Sequence, residues 1–231
     1  MSLPRQLRTL RDRLHRTLPA AAWASIEQLI AGLKASGIEQ RAVRAGALAP
    51  RFVLANSRGR PVDLSERLAR GAVALSFCRG VWCPYCDAEL RALQAVAPQI
   101  RALGASLIAL SPERRDGALD GIGNSALDFE LLSDPGNQVA RAFGLVFRLP
   151  AADQRFLASV GVDLVQRNGD ASWELPVPAT YLIGVDGIVR LAFVDADFRY
   201  RLDPVELVGA LRCASAGHVC PAPALKAGRR R

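Results

Sequence analysis

Apolar and polar positions along the chain predict strands that alternate with helices. Residues 72–77 (AVALSF) and 105–110 (ASLIAL) are apolar runs without polar alternation, which is typical of strands buried on both faces. A helix is predicted from Pro84 to about Leu103, because apolar residues recur there at spacings of three and four. They are Leu90, Leu93, Ala97 and Ile100.

The second half of the chain continues the alternation and then changes to a hairpin. A helical stretch is predicted after Pro112, a strand in residues 129–137 (FELLSDPGN) and a short helix in 138–145 (QVARAFGL). Residues 181–194 are two apolar runs joined by Asp186-Gly187, a strong hairpin signal. A helix over residues 204–213 closes the fold. The order predicts an α/β protein with a parallel sheet covered on both faces and antiparallel strands added at one side.

The remaining segments set the predicted domain limits. A first helix carries Leu3, Leu7, Leu10 and Leu14 on one face, and a second over residues 20–36 ends at Gly37. Residues 48–71 predict a short strand, a Ser-Arg-Gly-Arg-Pro turn and a short helix. Residues 145–178 are ambiguous and resemble an insertion. We expect a helical extension (1–42), one domain (43–213) and a basic tail (214–231).

The net charge of +8 is confined to the chain ends. Residues 1–17 and the last six residues together hold nine of the 30 bases and one of the 22 acids, which leaves 21 of each sign in the body. We interpret the tails as solubilising ends, although basic tails can also contact acidic partners or lipid. No nucleic-acid partner is expected, and the absence of an apolar run of about 18 residues predicts no membrane span.

The N-terminus and the cysteine count bear on location. The Arg-rich, acid-poor start overlaps with the pattern of an organellar transit peptide, but a lead-in helix that packs on the domain is the simpler interpretation. Five cysteines, an odd number, fit a reducing compartment better than a disulfide-stapled secreted domain. We expect a cytoplasmic protein.

Residues 76–90 (SFCRGVWCPYCDAEL) hold three of the five cysteines within nine positions. Cys83 lies between the buried strand and the helix that Pro84 opens, because proline is favoured in a first helical turn. At this N-cap, free N–H groups and the helix dipole stabilise a thiolate. Cys86 is one turn further on and can close a disulfide with Cys83. The spacing therefore predicts a redox-active dithiol.

Two other interpretations of the cysteines stay open. Cys78, Cys83 and Cys86 have the C-x4-C-x2-C spacing of a plant-type iron–sulfur site if Cys213 or Cys220 supplied a fourth ligand, and Cys78 can equally be a small buried apolar residue. Cys213, His218 and Cys220 are too few for a closed zinc site without help. A regulatory disulfide between Cys213 and Cys220 is the alternative to two unconnected thiols. His15 is expected at the surface, and two histidines near the chain ends argue against a Cys-His hydrolase.

Three segments together resemble the peroxiredoxin-like branch of the AhpC/TSA family, within the thioredoxin-fold superfamily. They are FCRGVWCPYCDAEL (77–90), LSDPGNQVARAFGL (132–145) and LPVPATYLIGVDGIVRLAFVDADFRYRL (175–202). The resemblance runs from about Gly46 to Arg212 and includes a helical lead-in. It implies a thioredoxin-like fold with a central mixed sheet flanked by helices. The Cys-Pro-Tyr-Cys core alone is also similar to glutaredoxins.

The resemblance also implies roles for individual residues. Cys83 matches the attacking cysteine and Cys86 the resolving one, so that the pair forms a redox-active disulfide and no bound cofactor is needed. Pro178 matches the proline that thioredoxin folds hold in the cis form beside the active cysteines.

The chain departs from the peroxiredoxin pattern at three positions. Gly80 stands where a Thr or Ser is usual, Pro178 near where an Arg is usual, and Cys86 where a Glu is usual. We expect Arg79 to supply the missing positive charge, and Trp82 and Tyr85 to form an apolar rim around the thiols.

The resemblance implies a thiol-dependent peroxidase that reduces hydrogen peroxide or organic hydroperoxides. Thioredoxin, or glutathione with glutaredoxin, is expected to restore the dithiol. The alternative is a general thiol–disulfide oxidoreductase, and the third hypothesis is an iron–sulfur or zinc-binding protein. A homodimer is left open, since thioredoxin-fold peroxidases often pair.

Overall fold

The computed structural model describes residues 1–56, 58–114 and 127–215. The helical stretch predicted after Pro112, Ser57 of the predicted turn, and His218 and Cys220 of the tail lie outside the described residues. The described elements follow in chain order. They are α1 (Leu3–Thr17), α2 (Ala20–Ala35), α3 (Ile38–Arg41), β1 (Val53–Ala55), β2 (Pro61–Asp63), α4 (Leu64–Leu68), β3 (Val73–Phe77), α5 (Pro84–Ala102), β4 (Ser106–Ser111), β5 (Glu130–Ser133), a 3-10 turn (Pro135–Asn137), α6 (Gln138–Ala142), β6 (Val146–Arg148), α7 (Ala151–Ser159), α8 (Leu164–Asn168), β7 (Glu174–Pro176), β8 (Ala179–Ile183), β9 (Val189–Val194) and α9 (Pro204–Ser215).

A five-stranded mixed sheet in the order β5-β4-β3-β8-β9 forms the centre of the molecule. Strand β3 pairs in parallel with β4, and β4 with β5, as expected for strands joined by helices. Strand β8 runs antiparallel to β3 and pairs with β9 in the hairpin that Asp186-Gly187 turns. The predicted central mixed sheet with a terminal hairpin is confirmed.

Helices cover both faces of this sheet, and β3 is therefore buried on both sides. Its residues Val73, Leu75 and Phe77 enter a core that includes residues of α4 and α6, while Ala74 enters a core with residues of α5 and α9. Cys78 directly follows β3, and its backbone N–H continues the pairing by donating to the Leu110 carbonyl at 2.9 Å. Because side chains alternate along a strand and Phe77 faces the α4 and α6 side, Cys78 faces the side that α5 covers.

The ambiguous segment 145–178 forms a small unit beside the sheet. Strands β6 and β7 pair antiparallel, and the short helices α7 and α8 lie between them along the chain. The side chain of Asp163 caps α8 by accepting from the Gln166 N–H at 2.9 Å, as expected of an N-cap aspartate. We call residues 145–178 the insertion.

The N-terminal helices pack on the domain, as the lead-in interpretation predicted. Leu3 and Leu7 of α1 are 2% and 3% exposed. Helix α2 ends as expected before Gly37, which has the left-handed φ of 70°. Among the residues described, no helix is long and apolar enough to cross a membrane. The limits 1–42, 43–213 and 214–231 stay predictions, and nearly all of the tail lies outside the described ranges.

Candidate active site

Cys83 is the N-cap of α5, immediately before Pro84 in the first helical position. Its backbone is extended, with φ −86° and ψ 119°, and its N–H donates to the Gly80 carbonyl at 3.2 Å. The predicted position of the thiol at the start of this helix is confirmed. Its side chain is fully buried.

Arg79 contacts both sulfurs of the dithiol. Its Nη2 donates to Cys83 Sγ at 2.9 Å, and its backbone N–H donates to Cys86 Sγ at 3.4 Å. Arg79 is 7% exposed, and its guanidinium lies against the ring of Phe198, with Cζ 3.7 Å from the ring centroid. Aromatic contact and burial hold this cation next to the thiol.

The pKa values of the two sulfurs are shifted in opposite directions. Burial opposes ionisation of Cys83, but a hydrogen bond from Cys86 and the charges of Arg79 and Arg201 outweigh it, so the pKa of Cys83 lies well below its ordinary value. The hydrogen bond to Cys83, burial and the negative charge of Cys83 hold the pKa of Cys86 well above its ordinary value. Such a pair places the charge on the sulfur at the helix N-terminus, where a nucleophile is expected.

A buried ion pair lies behind Cys86. Arg201 Nε donates to Glu89 Oε2 at 2.7 Å, and the two side chains are 1% and 2% exposed. Arg201 Nη2 also reaches Cys86 Sγ at 3.7 Å, and Thr180 Oγ1 donates to Glu89 Oε1 at 3.4 Å. Burial raises the pKa of Glu89 despite the hydrogen bonds from Arg201 and Thr180. The pair joins α5 to the segment after β9.

Gly80 accounts for one departure from the peroxiredoxin pattern. Its φ is 143°, and a Cβ placed on it would lie 2.2 Å from Trp82 Nε1 and 3.0 Å from Glu113 Cδ. A threonine would be strained and would overlap the indole. The turn before Cys83 is therefore built for glycine, and Trp82 packs in the space that a side chain at position 80 would need.

Glu113 fixes the same turn from the end of β4. Its Oε2 accepts from the Val81 N–H at 2.7 Å and from Ser111 Oγ at 3.2 Å. Its Oε1 accepts from Arg167 Nη1 of α8 at 3.0 Å. This carboxylate links the active-site turn to the insertion, and burial raises its pKa.

Tyr85 and Trp82 lie beside the thiols as expected. Tyr85 is 4% exposed and meets the ring of Phe198 edge-on, with centroids 5.8 Å apart. Trp82 is partly buried, and Arg79 Cζ lies 5.4 Å from its ring centroid. Pro84 is exposed. The roles given to these residues stay predictions.

The expectation of a cis bond before Pro178 was wrong. The described residues contain no cis peptide bond, so Val177 and Pro178 are joined in trans, which is the lower-energy form. Val177 is held by its N–H, which donates to the Leu145 carbonyl of the insertion at 2.8 Å. Pro178 is buried at the start of β8, whose Ala179 pairs with Phe77, and its supporting role stays a prediction.

The two other described cysteines, Cys78 and Cys213, differ from each other in their surroundings. Cys78 is fully buried, and burial together with Glu113 and Glu89 raises its pKa strongly. All four described cysteines are free thiols, and Cys213 is partly exposed on α9. Within the described ranges, no group of three or more His, Cys, Asp or Glu side chains is placed to hold a metal ion.

The N-terminal helices and the insertion enclose the dithiol. We call the buried apolar group around it the dithiol cluster. Its members are Leu3, Leu7, Leu29, Ile30, Leu33, Ile38, Cys78, Cys83, Tyr85, Cys86, Leu149, Leu164, Leu175, Val177, Ala196 and Phe198. Neither Cys83 nor Cys86 has exposed surface. A cavity of about 420 Å³ lies between α2 and the insertion, but neither thiol lines it.

Arg199 joins the segment after β9 to helix α2, one of the helices that enclose the dithiol. It donates to Asp197 Oδ2 at 2.7 Å and to Glu27 Oε1 of α2 at 2.6 Å, and its Cζ lies 5.3 Å from the ring centroid of Trp23. The segment between β9 and α9 thus carries three contacts of the site: Phe198 on Arg79, Arg199 on α2, and Arg201 on Glu89.

Sequence reasoning missed Glu89, Glu113, Phe198 and Arg201. One signal was available for Glu89, which follows Cys86 by three residues and so shares its helix face. The others come from distant parts of the chain, and Arg201 is 115 residues from Cys86.

A mixed sheet with a cysteine pair at the first turn of the helix after its central strand defines a thioredoxin-like redox protein. The chain belongs to the AhpC/TSA family, because the sequence model of that family matches residues 45–192, which is well over half of the chain.

Relatives and solved structures divide between two activities. The "Thiol-disulfide oxidoreductase ResA" of Bacillus thuringiensis (strain Al Hakam) is 27% identical over 108 residues, 46% of this chain and 61% of that protein. The bcp protein of Haemophilus influenzae, named as a peroxiredoxin, is 31% identical over 100 residues, 43% of this chain and 64% of that protein. These alignments span less than two thirds of either relative.

The fold is also that of solved peroxiredoxin structures. The crystal structure of "Peroxidoxin BcpB" from Mycobacterium tuberculosis superposes with a TM-score of 0.56 at 21% identity, covering 74% of this chain and 97% of that one. At this identity the likeness establishes the fold alone. A redox enzyme is supported, while the choice between peroxide and disulfide as substrate rests on the site.

Proposed function

We propose that the protein is a thiol-dependent peroxidase that reduces hydroperoxides through a Cys83/Cys86 dithiol–disulfide cycle. The observation that carries this proposal is the Cys83 sulfur, 2.9 Å from a buried guanidinium nitrogen and with its pKa held well below its ordinary value by Cys86, Arg79 and Arg201 against the effect of burial. In this proposal Arg79 supplies the positive charge that is missing because Pro178 stands near where an Arg is usual.

The proposed cycle has three steps. The Cys83 thiolate attacks one oxygen of R–O–O–H, the O–O bond breaks, and Cys83 becomes a sulfenic acid while RO⁻ leaves and takes a proton to form ROH. Cys86 then loses its proton and attacks the Cys83 sulfur, forming the disulfide and releasing hydroxide, which becomes water. An external dithiol reduces the disulfide by exchange.

The burial of both thiols supports a small oxidant. A peroxide can enter through small local openings of the dithiol cluster, whereas a protein disulfide must contact the sulfur directly. The reductant faces the same barrier, so reduction by thioredoxin, or by glutathione with glutaredoxin, requires the cover over the dithiol to open. We place this activity in a reducing, cytoplasmic setting.

The second candidate is a general thiol–disulfide oxidoreductase. The difference in pKa between Cys83 and Cys86 favours it, because one ionised and one protonated sulfur also suit disulfide exchange. The similarity to ResA, named as a thiol–disulfide oxidoreductase, and the Gly80 departure point the same way. The iron–sulfur or zinc hypothesis has no support from a side-chain cluster in the described part of the chain.

A rapid-mixing experiment separates the two. Fully reduced protein is mixed with hydrogen peroxide or with oxidised glutathione, and the tryptophan fluorescence, to which Trp82 beside the dithiol contributes, is followed. We expect oxidation by peroxide far faster than that of a free thiol, abolished in Cys83→Ser and unchanged in Cys213→Ser, whose thiol lies on α9. Slow reaction with peroxide and fast exchange with the glutathione disulfide would establish the second candidate instead.

Cys86→Ser tests the resolving step. This variant should consume one equivalent of peroxide and accumulate a sulfenic acid at Cys83, detectable by a dimedone adduct in mass spectrometry. Normal multiple turnover with a dithiol would contradict the role given to Cys86.

A further inference from the structure

The cavity of about 420 Å³ between α2 and the insertion has no part in the proposed redox cycle. Its size lies within the range of sites that bind small molecules, roughly 300–1,000 Å³. Gly32 of α2 leaves room on one wall, because a Cβ built on it would meet nothing within 4 Å. Much of the remaining lining is apolar and includes Leu29, Leu33, Ile38, Val146 and Phe147.

Asp153 contributes a buried carboxylate to this cavity. It lies in the first turn of α7 and is 5% exposed. Ser25 Oγ of α2 donates to its Oδ1 at 3.2 Å, but among the described residues no cation forms an ion pair with it. Burial raises the pKa of Asp153 against the effect of the Ser25 hydrogen bond. Because buried charges are normally paired, this wall favours a ligand with a cationic group.

Two arginines line the same cavity as Asp153. Arg41 donates to the Ser36 carbonyl. Arg148, the exposed last residue of β6, has no hydrogen-bond acceptor or ion-pair partner in the described part of the chain. Guanidinium groups match the geometry of carboxylates. A simple cation would be repelled by these arginines and a simple anion would leave Asp153 without a partner, so the lining favours a molecule that carries both charges.

The cavity shares a wall with the dithiol cluster. Leu29, Leu33 and Ile38 belong to that cluster and also line the cavity. A ligand in the cavity would contact α2 on one side and β6 and α7 of the insertion on the other, and both sides help to enclose the dithiol. A ligand that binds only while the two sides are together stabilises that closed arrangement by mass action.

We propose that the cavity binds a small zwitterion with an apolar body, such as an apolar amino acid or a short apolar peptide. Its ammonium group pairs with Asp153, and its carboxylate pairs with Arg148 and Arg41. The bound molecule holds α2 against the insertion and so keeps the dithiol covered. Binding of this kind requires neither peroxide nor turnover, so it goes beyond the proposed peroxidase and does not depend on it.

Calorimetric titration of the reduced full-length chain tests the charge pattern. The probes are leucine and the dipeptide leucyl-leucine, which distinguish an amino-acid site from a peptide site. Two blocked forms of whichever probe binds are titrated in parallel, the N-acetyl form without the ammonium and the amide without the carboxylate. We expect each blocked form to bind more weakly by about ten-fold to a hundred-fold, because each loses a charge-assisted hydrogen bond. Absence of binding by both probes, or equal binding of the blocked forms, would overturn the inference.

Three variants locate the binding. Asp153→Asn should weaken binding of the probe by about ten-fold or more, and Gly32→Leu should abolish it by filling the cavity from a position where the added Cβ has room. The control is Arg155→Gln, which changes an exposed charge of α7 that does not line the cavity and should alter binding by less than two-fold. Undiminished binding by both Asp153→Asn and Gly32→Leu would place the probe elsewhere and refute the assignment.

The rate of Cys83 alkylation by iodoacetamide tests the effect on the dithiol. If exposure of the sulfur requires α2 and the insertion to separate, a probe at ten times its Kd should slow alkylation by about ten-fold. Gly32→Leu should show no such slowing by the probe. Alkylation that proceeds at the same rate with and without bound probe would overturn the claim that the ligand keeps the dithiol covered.

Discussion

Replacement of Gly80 by alanine tests the most specific packing relation of the active-site turn. At φ 143° the backbone is in a region that side chains rarely adopt, and the added Cβ would lie 2.2 Å from Trp82 Nε1. Backbone strain of this kind costs about 1–3 kcal/mol, and overpacking costs about 1–3 kcal/mol more. The free energy of unfolding of Gly80→Ala should therefore be lower by roughly 2–6 kcal/mol than that of the wild type.

The assay is urea unfolding of the reduced protein, with Gly209→Ala as the matched control. An added Cβ at Gly209, inside α9, meets nothing within 4 Å, and alanine is favoured over glycine in a helix by roughly 0.5–1 kcal/mol. Gly209→Ala should thus be slightly more stable than the wild type. The two alanine substitutions should shift stability in opposite directions.

A double variant separates strain from steric overlap. Trp82→Ala removes the indole that the new Cβ would meet, so adding it to Gly80→Ala should recover the overpacking part, a coupling of about 1–3 kcal/mol. The backbone strain should remain. A Gly80→Ala protein within about 0.5 kcal/mol of the wild type, or a double variant without coupling, would refute this account of why threonine is absent here.

Two further predictions concern the charges around the dithiol. Arg201→Met leaves the Glu89 carboxyl buried without its partner, which should lower the free energy of unfolding in urea by about 3–5 kcal/mol. The double variant Glu89→Leu with Arg201→Met should recover most of that loss. Losses that simply add would contradict the pairing. The rate of Cys83 alkylation should rise with pH through a pKa below the ordinary thiol value, because only the thiolate reacts. Arg79→Met removes a charge-assisted hydrogen bond of about 1.5–3 kcal/mol, so its profile should move to higher pH; an unchanged profile would show that Arg79 does not stabilise the thiolate.

The sequence predicted the parts of the site that depend on local order. Pro84 sets the start of α5, and with it the N-cap position of Cys83, within a few residues of chain. The apolar run of β3 and the Asp186-Gly187 turn likewise specify their own elements, and both are confirmed by the sheet pairing. Local signals therefore located the dithiol and the central sheet.

The rest of the site depends on contacts between distant segments. Arg201 reaches Glu89 across 112 residues, and no periodicity marks such a pair before the sheet brings β9 and α5 together. The insertion was ambiguous because α7 and α8 span nine and five residues, too few turns for helical periodicity to stand out. The trans bond before Pro178 was missed because resemblance, not local chemistry, suggested the cis form.

The joining of the N-terminal helices and the sulfurs in one apolar cluster has a consequence for folding cooperativity. Leu3 and Leu7 lie in the same cluster as Cys83 and Cys86, so the first helix protects the active centre from solvent. A partial unfolding that released α1 and α2 while the central sheet stayed intact would remove part of the cover from the dithiol. In the proposed cycle, the free energy of that partial unfolding would set how often the Cys83–Cys86 disulfide becomes accessible to a protein reductant.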